Sequence, residues 1–389
     1  MKDVLAINRN ISAEAAIVSS EFKITCVTGP RQSGKTTLCK TVFRNKPYVN
    51  LENPDIALEA TEHPREFLKK YAKGAIFDEV QRVPHLFNYL QEVVDNRNRN
   101  NQFILSGSNN FLMQENISQS LAGRVGYVHL LPFSLNELVR RKQRIPELQE
   151  IILRGGYPAV VTGKSSVERW MENYVQTYIE RDVRQIRNIS SLLLFGKFLK
   201  ICAGRVGQMI NLATLSREVG IDAKTTESWI GILESSYVLF RLPPFHPNFN
   251  KRVVKSSKLY FYDTGVLCYL LGLNSRSVLT KSHFYGAIFE NFIIAEAKKN
   301  RFNKDQSGEL FFVRDAIGNE VDLVIQRGQE LLPVEIKGSG RLKSDDTAGL
   351  KWFNRVFRQQ GGVIIYTGNQ DKDLGNQMSQ LNWKSVVDL

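Results

Sequence analysis

The stretch KITCVTGPRQSGKTTLCK, residues 23–40, constrains this chain more than any other. Ile24 to Val27 are an apolar, β-branched run that reads as a buried strand, and a helical pattern begins at Thr37. Between them lies Gly29-x-x-x-x-Gly34-Lys35-Thr36. Strand, glycine-bounded loop, helix is the order that a phosphate-binding loop requires, because glycines permit the tight path that turns successive N–H groups and a helix N-terminus onto an anion. Gly29, Pro30, Arg31, Gln32, Ser33, Gly34, Lys35, Thr36 and Thr37 are therefore expected to cradle phosphates. Lys35 would neutralise the β- and γ-phosphates, and the Thr36 hydroxyl would coordinate Mg²⁺.

A loop of this kind needs a carboxylate partner, and GAIFDEVQRVP supplies one. Ala75 to Phe77 form a short apolar run ending in Asp78 and Glu79, as in a buried parallel strand with acidic residues at its C-terminal edge. Asp78 is expected to hold the Mg²⁺ through water and Glu79 to orient the attacking water. A third apolar run, NQFILSGSNN, ends in polar residues suited to sensing the γ-phosphate: Ser108 or Asn109, with Ser106 as a further choice. No Asn-Lys-x-Asp guanine-reading motif occurs, so ATP is expected over GTP. Arg124 follows a helical pattern and precedes an apolar strand, where it would serve as an arginine finger, in cis or from a neighbouring subunit, or as a plain surface residue.

VTGPRQSGKTTL, IFDEVQRVP, FILSGSNNF and SLAGRV…LLPFSLNEL, in that order, resemble bacterial and archaeal AAA-type ATPases with a C-terminal domain of unknown function. The resemblance continues through GGYPAVV, YIERDV, YFYDTGVLCYLLGL, AIFENFIIAEAKK and EVDLVI…VEIK, and so covers nearly the whole chain. It implies an α/β multidomain protein: a P-loop ATPase core with a parallel sheet, a helical and winged-helix middle, and a tail similar to restriction-endonuclease folds. We expect the units at residues 1–140, 141–250 and 251–389.

Bulk properties agree with several soluble units. At 389 residues the chain exceeds one ordinary core, and 42% hydrophobic with 23% charged residues is a globular balance. The start lacks a secretory layout, and GVLCYLLGL is far short of the roughly 20 residues that span a bilayer, so a cytoplasmic protein with no membrane partner is expected. Cys26, Cys39, Cys202 and Cys268 stand apart from one another and read as buried thiols, while the five histidines lack zinc-like spacing. The net charge of +13 is uneven: residues 241–304 hold 11 Lys/Arg against 3 Asp/Glu, whereas 305–389 hold 10 against 12. Such a basic block suits a polyanion such as DNA, or serves as a solubilising surface.

In the middle, NLATLSREVGIDAKTTESWIGILESSYVLFRLPPF reads as helix, turn, helix, strand. The outer face of the second helix is expected to show Thr225, Thr226, Glu227, Ser228 and Glu234, with Lys224 the nearby base, which favours packing or assembly over base reading. Asp263-Thr264-Gly265 is the triplet of aspartic proteases, but no second loop accompanies it, so a structural turn is expected.

In the tail, GNEVDLVIQRGQELLPVEIKGSG reads as a hairpin turning at QRGQE. Alternation puts Val321, Leu323 and Ile325 on one face and Asp322 on the other, and Glu335 and Lys337 opposite Val334 and Ile336. With Glu290 on the helical run before it, these residues match the acidic-Asp-Glu-x-Lys signature of restriction-type nucleases. Glu290, Asp322 and Glu335 would then bind Mg²⁺, and Lys337 would position a water or support developing charge. The other reading is a hairpin with solvated edges. Two functions follow from these alternatives: a Mg²⁺-dependent ATPase whose tail engages nucleic acid, or a nucleotide-controlled switch whose tail is an inactive protein-interaction domain.

Overall fold

The computed structural model describes residues 8–107, 113, 117, 119–141, 146–163, 166–179, 192–245, 256–304 and 309–389. Five strands of the first unit, β1 (Ile24–Thr28), β2 (Tyr48–Asn50), β3 (Ala75–Asp78), β4 (Phe103–Ser106) and β5 (Val125–His129), form an all-parallel sheet ordered β2-β3-β4-β1-β5. Helices cover both faces, which is why β1, β3 and β4 are buried at every position. Val27, Ile76, Ile104 and Val128 pack on one face with Leu38 and Cys39, while Cys26, Phe77 and Leu105 pack on the other with Leu86 and Phe87. The strand order sets β4 between β1 and β3, so the ends of all three open on one crevice at the carboxyl edge of the sheet.

The middle unit is helical, and its last two helices, Leu212–Val219 and Ala223–Ser235, lead into an antiparallel pair, β6 (Leu239–Leu242) and β7 (Lys258–Phe261). The expected boundary at residue 250 falls between these paired strands, so the unit runs on through β7. Two other expectations change here. Thr226 is buried, its hydroxyl donating to the Asp222 carbonyl, and the two carboxylates of the second helix are neutralised by Arg241, which bonds Glu227 and Glu234 at 2.7 Å each. Asp263 is a structural residue, as expected: it caps the helix Thr264–Leu270 by accepting from Val266 N–H, and it accepts from Gly156 N–H at 2.7 Å.

The tail is a mixed six-stranded sheet ordered β12-β13-β11-β10-β9-β8, built from β8 (Leu310–Arg314), β9 (Glu320–Arg327), β10 (Glu330–Lys337), β11 (Gly362–Tyr366), β12 (Lys372–Gly375) and β13 (Met378–Asn382). The helix Tyr285–Asn303 packs Ile288, Phe289, Phe292 and Ile293 into a core that also holds Leu323, Ile325, Val334 and Ile336. That core is continuous with the middle unit, so middle and tail are welded through apolar contact. The opposite face carries Val321 and Val324 against Phe353 of the helix Ala348–Phe357.

All four cysteines are free and buried. Among the described residues no helix is long and apolar enough to cross a membrane.

Candidate functional site

The loop between β1 and the helix Lys35–Val42 follows a path that its glycines dictate. Gly29 has φ +146°, and a Cβ there would lie 2.1 Å from the Leu130 carbonyl oxygen. Gly34, at φ +99°, caps the helix, its carbonyl accepting from Leu38 N–H. Ser33, Lys35 and Asp78 are buried at the carboxyl edge of the sheet. The Lys35 ammonium folds back onto the loop and donates to the carbonyls of Gly29 and Pro30, both at 2.9 Å. Burial pulls Lys35 down to about 8, against the pull of Glu79 and Asp78, which favour its charged form.

Asp78 is the hub opposite the loop. Its Oδ2 accepts from the Thr36 hydroxyl at 2.7 Å and from the Tyr48 hydroxyl at 2.8 Å, and its Oδ1 accepts from Ser106. Three hydroxyls therefore hold a carboxylate in one orientation beside the phosphate loop. Thr36 and Asp78 are hard oxygen donors in mutual contact, and this pair fits one side of a Mg²⁺ whose shell is completed by water and phosphate. Glu79 adopts a left-handed backbone conformation (φ +55°), unusual for this residue type, and accepts from Gln81 Nε2 at 2.5 Å. Ser108 and Asn109 lie outside the described residues.

Neighbouring segments press on the loop in ways the sequence did not signal. Gln32, at φ +60°, accepts from Trp170 Nε1 of the middle unit at 3.1 Å. The buried Arg9 donates to the Ser33 carbonyl at 2.9 Å, to the Leu131 carbonyl at 2.6 Å and to Glu137 at 2.9 Å. Glu137 also accepts from Ser134 N–H at 2.8 Å. Just beyond, Glu296 and Lys299 of the tail helix bond Leu135 N–H and the Phe133 carbonyl. A chain of polar contacts thus runs from loop to tail.

Arg124 is elsewhere. Its carbonyl accepts from Ile24 N–H, which fixes it at the amino edge of the sheet, the far end of β1 from the loop. Five residues of strand separate the two ends, about 16 Å. Arg124 grips Asp95 with two bonds of 2.8 and 2.7 Å, and these bonds pull Asp95 down to about 2. The cis role considered above does not fit this distance, whereas the plain surface residue and an action on a neighbouring subunit are both compatible with this position.

The tail residues come together as neighbours but not as a cage. The hairpin β9–β10 forms, with Val334 opposite Leu323, which brings Asp322 beside Glu335; the Asp322 carboxylate accepts from Ile336 N–H at 2.8 Å. The expected alternation in β9 fails, however. Against β8, Val324 pairs with Phe311 and Val321 with Val313, so Phe312 alone opposes both Asp322 and Leu323. This bulge explains why Val321 and Val324 share a face despite their odd spacing. Asp322 lies close enough to both Glu290 and Glu335 to disfavour their charged forms, and it is hydrogen-bonded to Glu335. Glu335 lies against Gly349, where an added Cβ would come within 1.9 Å of its Oε1.

Two lysines already stand against these carboxylates. The Lys337 ammonium sits 2.9 Å from Glu335. Lys258, the first residue of β7, lies 3.2 Å from Glu290 and also pairs with Glu320. The Tyr260 hydroxyl donates to Glu290 as well. Burial and Asp322 push Glu290 up to about 7, with Lys258 pulling back, and the same two causes push Glu335 up to about 8, with Lys337 pulling back. Among the described residues no three His, Cys, Asp or Glu side chains stand where they would hold one metal ion. The expected cage of Glu290, Asp322 and Glu335 does not fit a metal as arranged, because Lys258 and Lys337 already stand against Glu290 and Glu335. Lys258, Tyr260 and Glu320 were not anticipated; the alternation in SSKLYFYD, which sets 258 and 260 on one side, is the signal that would have found the first two.

A phosphate loop on a parallel sheet, with a hydroxyl-held aspartate at the end of the next strand but one, defines an AAA-type P-loop ATPase domain, and a family model described as AAA domain matches residues 21–139. Two models for domains of unknown function, DUF8612 and DUF4143, match residues 145–277 and 285–386. The uncharacterized protein Rv2008c of Mycobacterium tuberculosis is 30% identical over 318 residues, 81% of this chain and 70% of that protein. This chain belongs to the same family. The uncharacterized protein MJ1544 of Methanocaldococcus jannaschii is 24% identical over 366 residues, covering 86% and 78%. Among solved structures, the Walker-type ATPase PABY2304 of Pyrococcus abyssi is similar with a TM-score of 0.49 at 16% identity, covering 68% of this chain and 96% of that one.

Proposed function

We propose that this chain is a Mg²⁺-dependent ATPase whose turnover switches the state of a non-cleaving tail. The observation that carries the first half is the 2.7 Å contact from Thr36 to Asp78, which joins the phosphate loop to the end of β3. In this reading the loop from Gly29 to Thr37 cradles the triphosphate, and Lys35 leaves its carbonyl partners for the β- and γ-phosphates. Thr36 and Asp78 hold the Mg²⁺, which when bound offsets phosphate charge. Glu79 orients the attacking water, and Ser106, Ser108 or Asn109 contacts the γ-phosphate. Arg124 exchanges Asp95 for the transition-state charge of a neighbouring subunit, so the active form is an oligomer.

The tail reading rests on charge. Of the basic block at 241–304, Arg241, Lys258, Arg276 and Lys299 are held in ion pairs with carboxylates of this same chain. These four of the block's 11 basic residues already have carboxylate partners in the chain, which weakens the nucleic-acid reading and favours a protein-interaction platform. The mixed sheet with its Asp-Glu-x-Lys hairpin is similar to restriction-endonuclease folds, and the two helices before β6–β7 are similar to a winged helix. The polar chain from Ser33 through Arg9 and Glu137 to Glu296 and Lys299 supports a mechanical link between loop and tail.

The test is ATP hydrolysis with defined variants. Lys35→Ala should lose nucleotide binding, and Glu79→Gln should keep ATP bound while turnover stalls. Normal turnover by Glu79→Gln would remove that residue from its role. Absence of affinity for any nucleoside triphosphate would end the engine reading altogether. Mixing Arg124→Ala with Lys35→Ala chains should restore activity if the finger acts between subunits. Salt-sensitive DNA binding by the full chain would restore the nucleic-acid reading of the tail.

A further inference from the structure

The acidic cluster of the tail contains an ammonium group that neither hairpin nor tail helix supplies. Lys258 comes from β7, which pairs with β6 in the middle unit and lies inside the segment matched from 145 to 277. Its side chain is 4% exposed, so it has been carried fully out of water into the tail. There it meets Glu290 at 3.2 Å on the helix Tyr285–Asn303 and Glu320 at the start of β9, and its ammonium lies 5.4 Å from the centre of the Phe312 ring. Phe312 is the residue that faces the bulge carrying Asp322. Tyr260, two residues on and on the same side of β7, donates its hydroxyl to Glu290. One strand therefore presents two donors to carboxylates drawn from two other elements, the helix Tyr285–Asn303 and β9.

We infer that Lys258 occupies the place of a divalent cation, and that the cluster of Glu290, Glu320 and Asp322 is a lysine-bridged joint between middle unit and tail rather than a metal centre. An ammonium and a metal ion compete for the same carboxylate oxygens. Taking a lysine out of water is unfavourable, and only close carboxylates offset that loss. With Lys258 in contact with two of them, a metal would have to displace it into an apolar surrounding. An ammonium lacks the Lewis acidity that generates a hydroxide from water, so metal-assisted phosphodiester cleavage does not follow from this arrangement. The three carboxylates would repel one another without Lys258, and with it they hold β7, the helix Tyr285–Asn303 and β9 in one register.

The inference deepens the reading of a non-cleaving tail, and metal binding tests it separately from cleavage. The full-length chain, free of nucleotide, is titrated with Mn²⁺ while free Mn²⁺ is followed by electron paramagnetic resonance. Wild type and Asp322→Asn should give the same titration. Lys258→Met should gain one further Mn²⁺ per chain, and Lys258→Met with Asp322→Asn should lose it again. A wild-type Mn²⁺ site abolished by Asp322→Asn would overturn the assignment, even if the tail cut no DNA. Should Lys258→Met fail to fold, the first pair decides alone: equal titrations support the inference, and a lost site defeats it.

Discussion

Two regions of this molecule place a buried lysine beside a pair of carboxylates, and they use the same residue types in opposite ways. At the phosphate loop, Asp78 is held by the hydroxyls of Thr36, Tyr48 and Ser106, while Lys35 is parked on two carbonyls. Neither charge is spent on the other through a hydrogen bond. In the tail, Lys258 and Lys337 lie directly against Glu290 and Glu335. The first arrangement stays open to a metal on the carboxylate side and an anion on the lysine side. In the second the lysines already occupy carboxylate oxygens, and adding an ion there requires breaking a buried pair. What separates a ligand site from a structural joint is therefore where each lysine points rather than which residues are present.

The sharpest way to break that contrast is to remove each ammonium. Lys35→Met should weaken MgATP binding by on the order of 100-fold or more, since charge-assisted bonds to phosphate contribute about 1.5–3 kcal/mol each. Lys258→Met should leave the nucleotide affinity within about twofold and instead lower stability by about 3–5 kcal/mol, the cost of stranding buried carboxylates. Equilibrium titration and thermal unfolding of the same two variants separate the outcomes. Equal effects of both on nucleotide binding would erase the distinction.

A second pair compares how tightly the two sites are built. Gly349→Ala should destabilise the tail by about 1–3 kcal/mol, because the new Cβ lies 1.9 Å from Glu335 Oε1 and 2.5 Å from the Glu320 carbonyl. Unfolding midpoints read this directly, and a neutral result would mean that Glu335 swings away easily and that the joint is loose. Arg9→Ala should weaken MgATP binding more modestly, by about tenfold, since Arg9 steadies the loop through the Ser33 carbonyl without touching phosphate. Arg9→Lys should rescue little, because three separate acceptors are served by one planar guanidinium. An unchanged affinity would remove Arg9 from the path between loop and tail.

The two sites also differ in how much of them the sequence discloses. The phosphate loop and its Asp78 partner are legible because their chemistry demands contiguous residues: glycines where φ is positive or another backbone intrudes, then Lys35 and Thr36, then a carboxylate after an apolar strand. Tyr48 is invisible at that level, since only the order β2-β3-β4-β1-β5 brings it beside Asp78. In the tail the hairpin is legible from its turn and alternation. The bulge at Asp322 is not, because one extra residue opposite Phe312 leaves no mark in a run of apolar residues. Lys258 is hidden for a different reason: it lies 32 residues before Glu290 and on the far side of the expected boundary at 250. Composition points to a basic block, yet contacts that the fold alone sets, within a unit for Arg241 and Lys299 and across units for Lys258, decide that these residues are paired inside the chain.

The smallest effect is a pH dependence that should divide the two lysines cleanly. Burial lowers Lys35 to about 8, whereas Lys258, though also buried, is raised above its ordinary value by Glu290, Asp322 and Glu320. A bound triphosphate favours the charged ammonium, so the bound chain keeps the proton. Below pH 8 the free chain already carries it, and affinity should be flat. Above pH 8 binding must take up a proton, and affinity should fall toward tenfold per pH unit, making it about tenfold weaker at pH 9 than at pH 7. Lys35→Arg should flatten the profile, because a guanidinium does not deprotonate in this range. The Lys258 joint should stay intact throughout, so thermal stability should show no loss attributable to its deprotonation between pH 7 and 9. Calorimetry in two buffers of different ionisation enthalpy measures the proton uptake directly. No uptake at pH 9 would mean that Glu79 and Asp78 hold Lys35 charged more firmly than burial discharges it, and the two lysines would then be electrostatically alike.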